Sequence, residues 1–336
     1  MSRDRTPIDR RRLLKAAGGI GIIGLAGCVG EEPEDENGEE NGDDETPDEG
    51  GEQLVFVAGG ADGTYFPLAG EIKNIVDAET PHVLTVQESG ASVENAGSLG
   101  DESADFVLIQ NDIAFFASEG TGIDDFEGNP VENIRGVASL YPETIHIVTP
   151  ADANIETLED LEGGTVNTGD LGSGTQVNAL QILETVGLEP GEDFTEDNSD
   201  FGSAADQIRD NAIDASFIVG GWPVGAVEEL AQTTDIEIIQ LDAGTREALL
   251  EDAEWLSEDT IPEGTYDGIE EDVDTVAVQA MIATHEGVDE GIVEEVTTAI
   301  FENVDEIDTQ GEFIDEETAQ EAMSVELHPG AEAYFG

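Results

Sequence analysis

The 336-residue chain has a single cysteine, Cys28. That excludes an intrachain disulfide and any cysteine-based metal site. Cations are almost as scarce, with ten Lys and Arg against 80 Asp and Glu and a formal charge of −70. Beyond Cys28 the basic residues are Lys73, Arg135, Arg209 and Arg246. A surface like this excludes nucleic acid and anionic headgroups as partners, because both need Lys or Arg to neutralise phosphate. It also repels itself in dilute water, and is tolerable where salt is molar and the Debye length falls to ~3 Å. The acids run along the whole chain, which favours a halophilic adaptation over a dedicated cation-binding surface. His82, His146, His285 and His328 are far apart and none has an i+4 partner, so no metal site is expected. Aromatics make up 5% of the chain. There is no long hydrophobic run: Ala16 to Gly27 is apolar over about a dozen residues, short of the ~20 that span a bilayer.

What the first residues do contain is an address. Asp9-Arg10-Arg11-Arg12-Leu13-Leu14-Lys15 reads as a twin-arginine (Tat) export signal, and Leu25-Ala26-Gly27-Cys28 as a lipoprotein cleavage site. Residues 1–27 are expected to be removed and Cys28 lipidated; an uncleaved anchor is the other reading. Glu31 to Glu52 has no large apolar residue and cannot bury a core, so residues 28–52 are expected to form a disordered acidic linker. The folded part would then sit on the outer face of the cytoplasmic membrane, tied to it by lipid.

From Leu54 short apolar runs alternate with helical periods. Strands are predicted at 54–58, 83–87, 106–109, 137–140, 145–149, 165–168, 216–219, 236–241 and 276–283, with helices between most of them. This alternation predicts α/β units and mainly parallel sheets. One echo occurs about 110 residues apart. Ser103 to Ile109 leads into Gln110-Asn111, and Ala212 to Val219 leads into Gly220-Gly221-Trp222. Two similar lobes facing one cleft would bring both loops together, since ligands of open α/β sheets bind beyond the carboxyl ends of strands.

Three segments open a predicted helix with small and hydroxyl residues: Gly60 to Tyr65, Ser89 to Asn95, and Gly172 to Val177. Such ends either cap their helix or offer free N–H groups to an anion. Together they would hold a carboxylate without cationic side chains. Gly172-Ser173-Gly174-Thr175 is no P-loop, and Ser173 is not in a G-x-S-x-G elbow. No catalytic residue, cofactor or metal is expected. Tyr65, Tyr141 and Trp222 are each either cleft wall or core. Arg135 meets either a ligand carboxylate or a structural partner.

These segments, with Ile134-Arg135-Gly136, Ser139-Leu140-Tyr141-Pro142-Glu143, Ile213-Asp214-Ala215, Ile261 to Tyr266 and Leu327 to Glu332, occur in an order that resembles the TAXI-type solute-binding proteins of TRAP transporters. The resemblance covers about Leu54 to Phe335. It implies a type II periplasmic-binding-protein fold, two α/β lobes with a hinge and an interlobe ligand cleft. Lobe 1 would be residues 53–144 with about 272–336, and lobe 2 residues 145–271. It implies transport of a small carboxylate, an amino acid such as glutamate or a dicarboxylate or ketoacid, with a membrane permease as partner. The ligand contacts it implies are Thr64, Tyr65, Ser89, Ser92, Tyr141, Ser173, Gly174, Thr175 and Trp222. Ser89 stands where the family usually has Thr, Ala91 where it has Gly, and Gly164 where it has a basic residue. A ligand sensor signalling to a membrane receptor would share the fold, and a secreted hydrolase using Ser173 or His146 is the remaining alternative.

Overall fold

The computed structural model describes residues 50–336; the predicted signal peptide, Cys28 and the linker up to residue 49 lie outside the described residues. Strand β1 (Gln53–Val57) leads to α1 (Tyr65–Glu79), β2 (Val83–Gln87), α2 (Ser92–Gly100), β3 (Phe106–Gln110) and α3 (Asn111–Glu119). The long β4 (Ile134–Pro150) carries the chain to β5 (Thr165–Asn167), α4 (Gly174–Thr185), β6 (Thr195–Asp197), α5 (Phe201–Arg209), β7 (Ala215–Gly220), α6 (Gly225–Ala231), β8 (Ile236–Ile238), α7 (Ala243–Asp252) and β9 (Ser257–Ile261). A second long strand, β10 (Val273–His285), returns, followed by α8 (Glu290–Glu302) and α9 (Pro329–Phe335).

The helices form where apolar residues recur every three or four positions. In α1 the residues Tyr65, Leu68, Ala69, Ile72, Ile75 and Val76 are buried, one stripe against the sheet. In α4 Ser173 caps the start by accepting from the Gln176 N–H.

The sheet runs β2-β1-β3-β10-β4-β7-β5-β6, with β8 on β4 and β9 on β10. β1 pairs in parallel with β2 and β3, and β5 in parallel with β6 and β7. The two halves therefore mirror each other across the β10–β4 pair. The two strands of the sequence echo occupy equivalent places, β3 beside β10 and β7 beside β4. The expectation of a mainly parallel sheet needs correcting. All pairings of β4 and β10 are antiparallel, so the sheet is mixed. The predicted strands at 137–140 and 145–149 are one strand, which continues through Pro142. Proline lacks the ladder N–H, and it sits where the β4–β10 register shifts.

The core changes sides at the same place. Val137, Ala138, Leu140 and Tyr141 of β4, and Ala280 and Ile282 of β10, pack with α1 and α8. Ile145 and Ile147 of β4, and Val276 and Val278 of β10, pack with Ala179, Ile182 and Leu183 of α4. Two apolar cores thus share only two strands, crossing near Pro142–Thr144 and Gln279.

Candidate functional site

Where the halves meet, the starts of α1, α2 and α4 converge on a cavity of about 400 Å³. Thr64, Tyr65, Ser89, Ser92, Ser173, Gly174 and Thr175 line it, together with the Gly59–Gly63 loop and Gly90–Ala91. The first turn of any α-helix has N–H groups with no partner inside the helix, at the positive end of the helix dipole. No side chain caps α1 or α2, which leaves donors there for a ligand. The third helix differs. Ser173 Oγ accepts from the Gln176 N–H (3.1 Å) and donates to the Asp170 carbonyl (2.7 Å). Its hydroxyl is occupied in capping, and the α4 donors nearest the cavity come after it.

Ser89 shapes the α2 start. Its Oγ binds the Ala58 carbonyl and Asn95 and accepts from the Ala91 N–H at 3.0 Å. Ala91 then turns with φ 69°, ψ −143°, backbone that a side chain disfavours and glycine accepts. This is the physical reason glycine suits that position. Ser92, which is buried, accepts from the Gln110 N–H at 3.1 Å and so ties the end of β3 to the start of α2.

Two of the nominated contacts lie elsewhere. Tyr141 is fully buried in the middle of β4 and does not line the cavity. Its hydroxyl donates to Glu143 at 3.4 Å, so it supports a residue that does. Trp222 packs edge-on against Phe313 with ring centres 5.6 Å apart, and its carbonyl accepts from Gln310 at 3.1 Å. It fastens the loop after β7 to the chain near residue 310. Arg135 pairs with Glu286 at 2.7 Å, beside His328 in a separate groove, and is structural.

Sequence reasoning missed the cavity's acids and its amide. Glu143 lines the cavity at 3% exposure, where it accepts from Tyr65 Oη at 2.8 Å. Burial pushes its carboxyl up to about 8, against hydrogen bonds from Tyr65, Gln110 and Tyr141 that pull it down. Gln110, also 3% exposed, lines the wall opposite Gly174, and its Oε1 has no hydrogen-bond partner. A Cβ at Gly174 would collide with the Gln110 amide, so only glycine lets α4 approach so closely. One turn further, Asn178 donates to Asp112 at 2.7 Å, and burial raises that carboxyl to about 6. Asp170 and Asp200 complete the rim; burial and the charge of Asp200 raise Asp170. The signal for Glu143 was an acid inside an apolar strand segment, hidden among 80 acids.

The nucleophile reading of Ser173 finds no base. His146 is fully buried and both ring nitrogens are engaged, with Thr144 O at 3.0 Å and Tyr266 Oη at 2.9 Å. Tyr266 Oη also accepts from the Val224 N–H, so it donates to His146 Nε2, and Nδ1–H donates to Thr144. Burial lowers this imidazole to about 4, and it stays neutral as a positioning group.

Comparison with known proteins follows the same lines. The model of the NMT1-like family matches residues 56–336. A protein of Haloferax volcanii named as a putative ABC transporter anion-binding protein is 30% identical over 199 residues, covering 54% of each chain. The chain thus spans about half the length of the curated relative it matches. Among solved structures, a protein of Bordetella bronchiseptica superposes with TM-score 0.52 at 16% identity, over 82% of this chain and 83% of that one. A binding protein component of an ABC phosphonate transporter from Pseudomonas aeruginosa gives 0.51 at 10% identity, over 75% and 74%. These two likenesses show the fold, an α/β architecture built on a mixed sheet. The relatives with descriptive names are binding proteins, not enzymes.

Proposed function

The chain belongs to the NMT1-like family, and from that premise we propose that it is the solute-binding protein of a membrane transporter and takes a small carboxylate. The observation that carries this reading is the convergence of three helix starts on one cavity between two cores joined by two strands. The lobes are 53–144 with about 272–336, and 145–271, and the hinge is the Pro142–Thr144 and Gln279 crossing. Thr64, Tyr65, Ser89, Ser92, Gly174 and Thr175 surround the ligand carboxylate, which the backbone N–H groups of the helix starts hold. The protein is exported as a Tat substrate and held at the outer face of the membrane by lipid on Cys28, with the acidic linker as spacer.

Ordered motifs along the chain support a TAXI protein serving a TRAP permease. The name of the Haloferax relative favours an ABC transporter instead. Uptake by vesicles carrying the protein and its permease separates the two. Transport that persists on an ion gradient without ATP supports the first, and strict dependence on ATP the second. A sensor role would leave binding intact with no uptake.

The binding reading itself is tested by calorimetry and scattering in molar salt, across amino acids, dicarboxylates and oxoacids. A binding isotherm with compaction of the protein is expected for at least one. No heat and no compaction for any of them would refute it.

A further inference from the structure

The chain has two tryptophans, Trp222 and Trp255, and on the two-lobe reading both belong to the lobe of residues 145–271. Neither lines the ligand cavity. Each reaches across to the other lobe, and the two contacts are built alike. Trp222 meets Phe313 edge-on, with ring centres 5.6 Å apart and planes at 78°. Trp255 meets Phe116 edge-on at 4.8 Å and 79°. The Trp222 carbonyl accepts from the Gln310 amide at 3.1 Å, and the Trp255 carbonyl from the Asn111 amide at 3.2 Å. Edge-to-face packing is a favoured aromatic geometry, and an indole supplies a large, rigid contact.

Both contacts stand beside the strands that cross between the lobes. Gly220 of β7 pairs with Thr144 of β4, and Trp222 lies just beyond it. Ser257 of β9 pairs with Ala277 of β10, and Trp255 lies just before it. β7 is on the outer side of β4 and β9 on the outer side of β10, so the tryptophans flank the crossing on opposite sides. Asn111 ties one of them to the crossing itself, because its Oδ1 accepts from the Gln279 N–H at 3.0 Å. On the other flank Gly221 admits the Gln310 amide, with which a Cβ there would collide. Contacts on the axis of a rotation move least. Apolar ring contacts also tolerate small rolling motions, since the attraction is non-directional. Trp255 Nε1 is buried without a hydrogen-bond partner, so packing alone holds that indole ring.

We propose that Trp222 and Trp255 are the two bearings of the interlobe hinge. They fix the line about which the lobes rotate, and so decide whether the helix starts converge on the ligand. The proposal rests on the two-lobe solute-binding reading. Two strands alone can bend and also twist. Two packed rings, one beyond each strand, remove the twist and leave one rotation. α1 and α2 start on one lobe and α4 on the other, so a twist would offset donors that must meet on one ligand. If only about a tenth of the ensemble kept the alignment, apparent affinity would fall about tenfold.

The test uses the full chain in molar KCl. The probe is the tightest binder among L-glutamate, L-alanine, succinate, 2-oxoglutarate and pyruvate. Trp222→Phe and Trp255→Phe keep a ring at each bearing and leave one indole as reporter. They should bind within ~threefold of wild type, as a ring-for-ring exchange is tolerated best. The remaining indole should hold its emission maximum when the probe binds, although scattering shows compaction. Trp222→Ala and Trp255→Ala should each weaken binding ~10-fold or more by calorimetry, and should enlarge the radius of gyration without ligand. A merely structural ring would lower Tm and leave affinity and radius unchanged, and that result overturns the bearings while the carboxylate reading stands. An indole that moves to or from the water-exposed emission range on binding overturns them as well. No binding by any probe refutes the carboxylate reading, and ligand-free scattering of the alanine variants then decides the bearings. Where an alanine variant does not fold, the single-indole phenylalanine variants decide.

Discussion

Glu143 offers a measurement that does not depend on knowing the ligand. Its carboxyl rises from 4.5 to about 8 on folding, chiefly through burial. Between those values the folded chain holds a proton that the unfolded chain has lost, so stability falls as pH rises. The contribution is fully favourable below pH 4.5, declines across the window, and is exhausted above about 8. At 1.36 kcal/mol per pH unit the whole span corresponds to about 5 kcal/mol, and about 3 of that is already lost at pH 7. Glu143→Gln removes the titration while keeping the side chain's size. Asp112 acts in the same direction, since burial raises it to about 6, and it titrates in both proteins. The difference between wild type and variant therefore reads Glu143 together with its electrostatic coupling to Asp112, provided the surface acids contribute equally to both. Urea denaturation in molar KCl at pH 5, 7 and 9 reads that difference. The variant should gain several kcal/mol relative to wild type between pH 5 and pH 9. Parallel stability curves would refute the claim that this carboxyl is ionised at a cost inside the fold.

Ala91→Gly relieves a positive-φ residue that costs ~1–3 kcal/mol, less ~0.4–1 for the freer unfolded chain. The net gain of about 1 kcal/mol should appear as a rise of a few degrees in Tm. Gly174→Ala forces its methyl into the Gln110 amide. Overpacking of that kind costs ~1–3 kcal/mol, so at least tenfold weaker ligand binding is expected by calorimetry. Cys28→Ser should move the protein from the membrane fraction to the medium, as seen by fractionation and blotting.

The general plan of the fold was legible because apolar runs and helical stripes set it locally. Leu68, Ile72 and Val76 mark the buried face of α1, and the 110-residue echo marks β3 and β7 as equivalent. The two long strands were not legible. Pro142 is punctuation in a sequence, yet in the sheet it falls at a register shift where a missing N–H costs little. The direction of pairing also leaves no local trace, so antiparallel β4 and β10 look like any buried strand. At the site, the segments that open helices were readable because small and hydroxyl residues are few in kind and fixed in place. Tyr141 and Trp222 were misplaced because an aromatic beside a loop signals burial without saying which side of the strand is wet. Glu143 escaped because one buried acid cannot be told by type from the exposed ones.

The extreme charge of the chain and the chemistry of its cavity answer to different physics. On the surface, molar salt cuts the interaction range to ~3 Å, so adding acids there costs little. A desolvated wall is reached by few counterions, and a charge there keeps its full effect. Glu143 and Asp112 show this, because both are driven toward the neutral form by burial. A chain depleted of Lys and Arg cannot answer a buried carboxylate with a cation of its own. It can use neutral donors, and Tyr65, Tyr141 and Asn178 are those donors here. The same shortage explains why an anion would be received by helix starts and hydroxyls instead of arginine.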